Sequence, residues 1–208
     1  MSLARKAFAE LLGSLLLTAT VVGSGIAAQR LTTDHGLQLL ENSLATGAVL
    51  IALILALGPV SAAFNPVVTL VERAFGALTN REAATYIGAQ ILGCSLGSVV
   101  ANIMFDLPAI NLSSHVRDGG GLWTGEVVAT FGLVLVVFGV VRSGATAMVP
   151  FAVGGYITAA YWFTSSTSFA NPAITVGRPP SDTFAGTAPA SAGPYVRMQL
   201  AGRALAIG

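Results

Sequence analysis

Two six-residue stretches, Phe64-Asn65-Pro66-Val67-Val68-Thr69 and Ala170-Asn171-Pro172-Ala173-Ile174-Thr175, share one local grammar. In each, an asparagine, a favoured helix N-cap, precedes a proline, which is favoured at the first helical position because the N–H it lacks would be unpaired there anyway. Each Asn-Pro therefore predicts the start of a short helix, roughly ten residues long after Asn65 and shorter after Asn171, where Arg178-Pro179-Pro180 stops it. A helix start exposes unpaired N–H groups and about half a positive charge. Two such starts meeting head to head aim amide donors and two positive ends at one spot, which hydrogen-bonds a passing oxygen and repels cations. A single Asn-Pro is a commonplace turn or cap, so the weight of the pair lies in its setting.

That setting is a membrane. Of 208 residues 54% are apolar and only 9% charged, against roughly 25% charged in soluble domains, and the mean hydropathy is +0.76. Windows of about 19 residues place membrane helices near residues 7–29, 43–62, 83–104, 124–141 and 144–164, with a weaker sixth beginning near Pro194. Between them lie polar loops at 30–41 and 106–121 and a tight turn at 142–144. The remaining connections, 61–79 and 165–192, hold the Asn-Pro pairs. Arg5 and Lys6 before an apolar run resemble a signal peptide, but Glu10 within the run and the lack of a cleavage site favour a first membrane helix. The net charge of +1, without a basic stripe, excludes a nucleic-acid surface. With an even number of spans, Arg5, Lys6, Arg73, Arg81, Arg142 and Arg203 share the side of the termini, while Arg30, Arg117 and Arg178 lie opposite; the excess puts both termini in the cytoplasm.

The chain also repeats itself. Tyr86-Ile87-Gly88-Ala89-Gln90-Ile91-Leu92-Gly93 follows the first odd connection and Tyr195-Val196-Arg197-Met198-Gln199-Leu200-Ala201-Gly202 the second, while Glu10 has its counterpart in Glu126. With three helices per half, the second copy enters from the opposite side, so residues 1–105 and 122–208 form an inverted repeat within one channel-like domain, 1–208. Non-helical backbone at membrane depth is tolerated only where it lines a cavity or is buried in protein, so the paired boxes predict a passage.

On these residues the chain resembles the aquaporin, or major intrinsic protein, family, over nearly its whole length. The repeated Asn-Pro-Ala box of that family is matched fully at Asn171-Pro172-Ala173 and, with Val67 in place of alanine, at Asn65-Pro66. Gly58-Pro59-Val60-Ser61 and the paired glutamates are similar to family features. The resemblance implies an all-α membrane protein with six transmembrane helices, the sixth short, and two re-entrant half-helices. It further implies a homotetramer with one pore per subunit and passive movement of small uncharged solutes such as water, glycerol, urea or arsenite. Glu10 and Glu126 would be structural carboxylates that accept hydrogen bonds from the re-entrant backbone. No cofactor, no metal and no catalytic residue is implied, and an inner-membrane location is expected.

The departures concern substrate. The family's constriction usually includes an arginine three residues after the second box asparagine, and that position is Ile174; Arg178, one turn further on, is not an obvious substitute. The remaining constriction positions carry over to Thr46 and Ser168, and from helix five to either Ala159 or Tyr161. Without the usual cation a wider, more apolar constriction is expected. The approach to the first box, Ser61-Ala62-Ala63-Phe64, is one residue shorter than the family's and lacks its usual histidine. Two other functions remain open at this level: an ion-coupled transporter, for which only the two glutamates provide intramembrane ionisable groups, and a poorly conducting homologue with a truncated sixth helix carrying Arg197 and Arg203. An intramembrane enzyme lacks a nucleophile–base pattern, since His35 and His115 fall in loops.

Overall fold

A computed structural model describes residues 1–207. The helices are α1 (Leu3–Leu31), α2 (His35–Leu57), α3 (Pro66–Ala74), α4 (Asn80–Met104), α5 (Gly120–Arg142), α6 (Val149–Phe163), α7 (Pro172–Gly177) and α8 (Pro189–Ile207). Four of them, α1, α2, α4 and α5, are by themselves long and apolar enough to cross a bilayer; α6 and α8 complete the six, and α3 and α7 are the half-helices. The fold is the all-α inverted repeat expected from the sequence.

Helix boundaries depart from the hydropathy windows where polar chemistry extends or cuts a helix. The polar stretch 30–41 is mostly helical: Asp34 caps α2 by accepting from the Leu37 N–H at 2.9 Å, and the Gln38 amide donates to the Thr32 carbonyl at 2.7 Å. At its other end α2 stops at Leu57, five residues before the window does: Gly58 still has helical dihedrals and donates to the Ile54 carbonyl, but Pro59 has no N–H with which to continue the ladder. The sixth helix begins at Pro189 rather than near Pro194. Residues 189–193 are too small and polar to register as apolar, yet Ser191 fixes this first turn by accepting from the Arg117 N–H at 2.8 Å, and Pro194 is accommodated inside the helix. The resulting 19 residues extend about 28 Å at 1.5 Å per residue, close to a hydrocarbon core of about 30 Å.

Within each half the first and third helices cross closely. A Cβ on Gly93 would stand 2.3 Å from the Leu11 carbonyl, and one on Gly202 2.4 Å from the Val127 carbonyl, so the glycine shared by the two repeats makes the same contact twice. Lipid tails supply no hydrophobic drive between helices, and small residues that bring backbones together supply dispersion contacts instead. Arg203 in α8 donates to the Leu70 carbonyl of α3 at 3.0 Å, which gives the intramembrane cation a partner. Arg197 is exposed.

Gly93→Val is expected to separate α1 from α4, at a cost of at least the roughly 1–3 kcal/mol typical of overpacking. Gly88→Ala, where a Cβ meets no atom within 4 Å, should cost nothing measurable. Thermal unfolding of both variants in the same detergent checks the contrast.

Candidate functional site

Each connection re-enters the helix bundle with backbone N–H groups that no helix satisfies, and a buried glutamate meets them in both halves. Glu10, fully buried, accepts from Ala63 N at 2.9 Å and Phe64 N at 2.7 Å, and from the Ser61 hydroxyl. Glu126, equally buried, accepts from Phe169 N at 2.9 Å and Ala170 N at 3.0 Å. The shared glutamine completes each unit: Gln90 donates to Glu10 at 2.8 Å and to the Thr69 hydroxyl at 2.9 Å, and Gln199 donates to Glu126 at 2.6 Å and to the Thr175 hydroxyl at 2.8 Å. In both units each carboxylate oxygen accepts a backbone N–H, and both amide donors come from one glutamine. The sequence comparison had aligned Glu10 with Glu126 and Gln90 with Gln199; it gave no sign that Thr69 and Thr175 belong to the same network.

This anchoring turns the backbone sharply just before each box. Phe64 and Ala170 adopt the left-handed region, with φ of 49° and 46°. The turned chain then enters a helix capped by its own asparagine: the Asn65 side-chain oxygen accepts from Val67 N at 2.9 Å, and that of Asn171 from Ala173 N at 3.0 Å. Pro66 and Pro172 occupy the first helical positions of α3 and α7. The two tips are tied to each other. The Asn65 amide donates to the Ala170 carbonyl and the Asn171 amide to the Phe64 carbonyl, both at 2.8 Å. An amide nitrogen carries two protons, so each asparagine fixed in this way keeps one for a third partner.

A cavity of about 370 Å³ runs beside the joined tips, with Asn65, Asn171, Val68 and Ile174 in its wall. Its surface is mostly apolar, from Leu17, Val21 and Leu50 to Leu133, Val137 and Ile157, and at one end it reaches Glu72, Phe75 and Val141. A second, smaller cavity of about 140 Å³ lies beyond it, lined by Leu39, Asn42, His115, Arg117 and Phe184 among others. Tyr161 and Arg178 belong to both walls, so this pair stands between the two cavities.

The residues expected at the constriction divide accordingly. Thr46 and Ser168 are buried and line the larger cavity, and the Thr46 hydroxyl lies 3.1 Å from the Tyr161 hydroxyl. Of the two helix-five alternatives Tyr161 faces the passage, whereas Ala159 is exposed and lines neither cavity. Ile174 takes its place in the wall of the larger cavity, and a cation, Arg178, stands between the two cavities, where the loss of an arginine at position 174 had implied a more apolar lining. Arg178 is 4% exposed, and its guanidinium carbon sits 3.8 Å from the centre of the Phe169 ring. Arg117 rests over the same ring at 5.1 Å and donates to the Gly186 carbonyl at 3.2 Å. Burial, and then the neighbouring charge of Arg178, push Arg117 down to about 10, so it remains a cation at neutral pH. His115, depressed by partial burial and then by Arg117, is predominantly neutral there. The sequence places Arg117 in the polar loop 106–121; no local pattern marks a loop residue that folds back over the mouth of a pore.

The sequence profile of the major intrinsic protein family matches residues 1–177. The chain belongs to this family. It is 48% identical over 206 residues to "Aquaglyceroporin AqpS" of Rhizobium meliloti (strain 1021), covering 99% of this chain and 88% of that protein. It is also 33% identical over 174 residues to "Aquaglyceroporin-3" of Trypanosoma brucei brucei, covering 72% of this chain and 56% of that one. The fold is similar to the crystallographic structure of the aquaglyceroporin from Plasmodium falciparum, with a TM-score of 0.73 at 19% identity, over 99% of this chain and 94% of that one. The family is one of membrane channels rather than enzymes.

Replacing Glu126 by Gln puts an amide group against the N–H donors of Phe169 and Ala170. Each buried N–H left without an acceptor costs about 1–3 kcal/mol, so Glu126→Gln and Glu10→Gln are both expected to lower the unfolding temperature clearly in detergent. A carboxylate with a transport role and no structural one would leave that temperature unchanged.

Proposed function

We propose that this protein is a passive channel for small uncharged solutes, in which molecules pass in file beside Asn65 and Asn171. The observation that carries this reading is the reciprocal tie between the two half-helix tips next to a continuous apolar cavity. One side of the path supplies a short row of fixed donors, and the rest of the wall is mostly hydrocarbon. A neutral solute with hydroxyl or carbonyl oxygens can exchange water for those donors, while its carbon face loses nothing against Leu, Val and Ile. An ion finds too few ligands to replace its hydration shell and meets two positive helix ends. Water and glycerol fit these requirements, as do urea and neutral metalloid acids such as arsenous acid. The breadth of the larger cavity and the names of the bacterial and trypanosomal relatives favour glycerol-sized solutes over water alone.

The channel assembles in this reading as a homotetramer in the cytoplasmic membrane, with one passage per subunit and both termini in the cytoplasm. The excess of Lys and Arg on the terminal side supports this orientation. Exposed apolar residues along the outer faces, among them Leu55, Leu92, Leu135 and Phe151, suit contact with lipid or with neighbouring subunits. A full-length α8 favours a conducting channel over a crippled one.

Proteoliposomes containing the purified protein should take up glycerol, urea and arsenous acid and equilibrate water faster than empty vesicles in stopped-flow light scattering. Fluxes equal to those of empty vesicles for all four solutes would reject the channel. Ile174→Arg adds a guanidinium to the pore face of α7 and should suppress glycerol flux more strongly than water flux; an unchanged glycerol-to-water ratio would refute a role for position 174 in selectivity.

A further inference from the structure

We propose that Arg178 is the specificity-determining cation of this channel, supplied from seven residues beyond the second box asparagine because the position three residues beyond it holds Ile174. The two positions lie four residues apart, one helical turn, and therefore share a face of the half-helix. The other repeat shows that this face lines the passage along its length: Val68 and Glu72, three and seven residues after Asn65, both lie in the wall of the larger cavity. In the second repeat Ile174 and Arg178 do the same, and only Arg178 and Tyr161 reach through to the smaller cavity beyond.

The guanidinium is held in place without being consumed. Arg178 is the C-cap of α7, its N–H donating to the Ile174 carbonyl at 3.1 Å. The chain that follows is pinned, since the Pro179 and Pro180 carbonyls accept from Ser113 N and Asn111 N, both at 2.9 Å. The side chain stacks on Phe169. Among the described residues no carboxylate lies within 4.0 Å of it; its Nε is buried without a partner, which leaves the terminal nitrogens as the donors that can face the passage. A planar fork of donors with unspent capacity, between the two cavities, has one class of partner: the acceptor oxygens of a solute in transit. The same positive charge, removed from bulk water, raises the barrier for cations and protons at that point.

The assignment rests on the passive-channel reading, and one vesicle experiment separates the two. Wild-type protein, Arg178→Met and Arg178→Lys are reconstituted at matched density. Glycerol and water permeabilities are then measured by light scattering, and proton leak with an entrapped pH dye. Methionine keeps an unbranched stem able to pack on Phe169 and removes the charge; it is expected to raise the glycerol-to-water ratio several-fold and to admit protons. Lysine keeps the charge and loses the planar fork; it is expected to raise the ratio while holding the proton barrier. Wild-type vesicles no different from empty ones would reject the channel and this role with it. A conducting wild type with the same ratio in a folded Arg178→Met would reject the role of Arg178 alone. If Arg178→Met fails to fold, an unaltered ratio in Arg178→Lys overturns the proposal equally.

Discussion

The whole structure depends on pairing the backbone of two chain segments that enter a membrane without crossing it. A peptide N–H in hydrocarbon with no acceptor costs several kcal/mol, and each re-entrant turn presents two in a row, at Ala63 and Phe64 and at Phe169 and Ala170. A buried carboxylate with both oxygens turned to these donors is a compact remedy. It forces the left-handed turn at Phe64 and Ala170, which in turn points the carbonyls of those residues at the opposite half. Each carbonyl is taken by the asparagine of the other repeat. Neither half is complete alone, since the tip of each is hydrogen-bonded by the other, and this explains why the motif occurs twice in one chain.

The same network leaves the glutamates unsuited to ion coupling. A transporting carboxylate must gain and lose a proton or ion during the cycle. Glu10 and Glu126 each accept from backbone N–H groups that cannot move without unravelling the turn, and from a glutamine that also holds the threonine inside the half-helix. Protonating either one would set an O–H against donors. Their burial therefore belongs to the scaffold, and the polar groups available to a solute are the remaining amide protons of Asn65 and Asn171 with the hydroxyls and guanidinium further along.

Much of this was legible in the residues themselves. Apolar blocks marked the spans, Asn-Pro marked the half-helices, and the Tyr, Gln and Gly shared by residues 86–93 and 195–202 marked the inverted repeat. Those signals are local, or survive as identity between the halves. The start of α8 was missed because Pro189 to Gly193 contributes little hydropathy, and its stability comes from a contact with Arg117 more than seventy positions away. Tyr161 could not be separated from Ala159 by counting, since two plausible alignments differ by two residues, and on a helix that is the difference between facing the passage and facing away from it. Spacing makes Arg178 no obvious substitute, because it sits one helical turn beyond the family's arginine position. What brings it inward is the stacking on Phe169 and the fixed turn after it, and neither leaves a trace in spacing.

The two half-helices are not equal, and the inequality accounts for the shape of the passage. Helix α3 runs nine residues, so the position seven past its asparagine, Glu72, is still within the helix, and its side chain stays beside the wide cavity. Helix α7 runs six and is stopped by two prolines, so the equivalent position, Arg178, falls on the cap itself. A side chain on a cap is free of the next helical turn and can bend across the opening toward Tyr161. The folded-back loop carrying Arg117 then covers the same end. A pore built from two related halves therefore runs between mostly apolar walls that reach Glu72 at one end, and meets cations, Arg178 and then Arg117, at the other. The asymmetry follows from where each short helix ends.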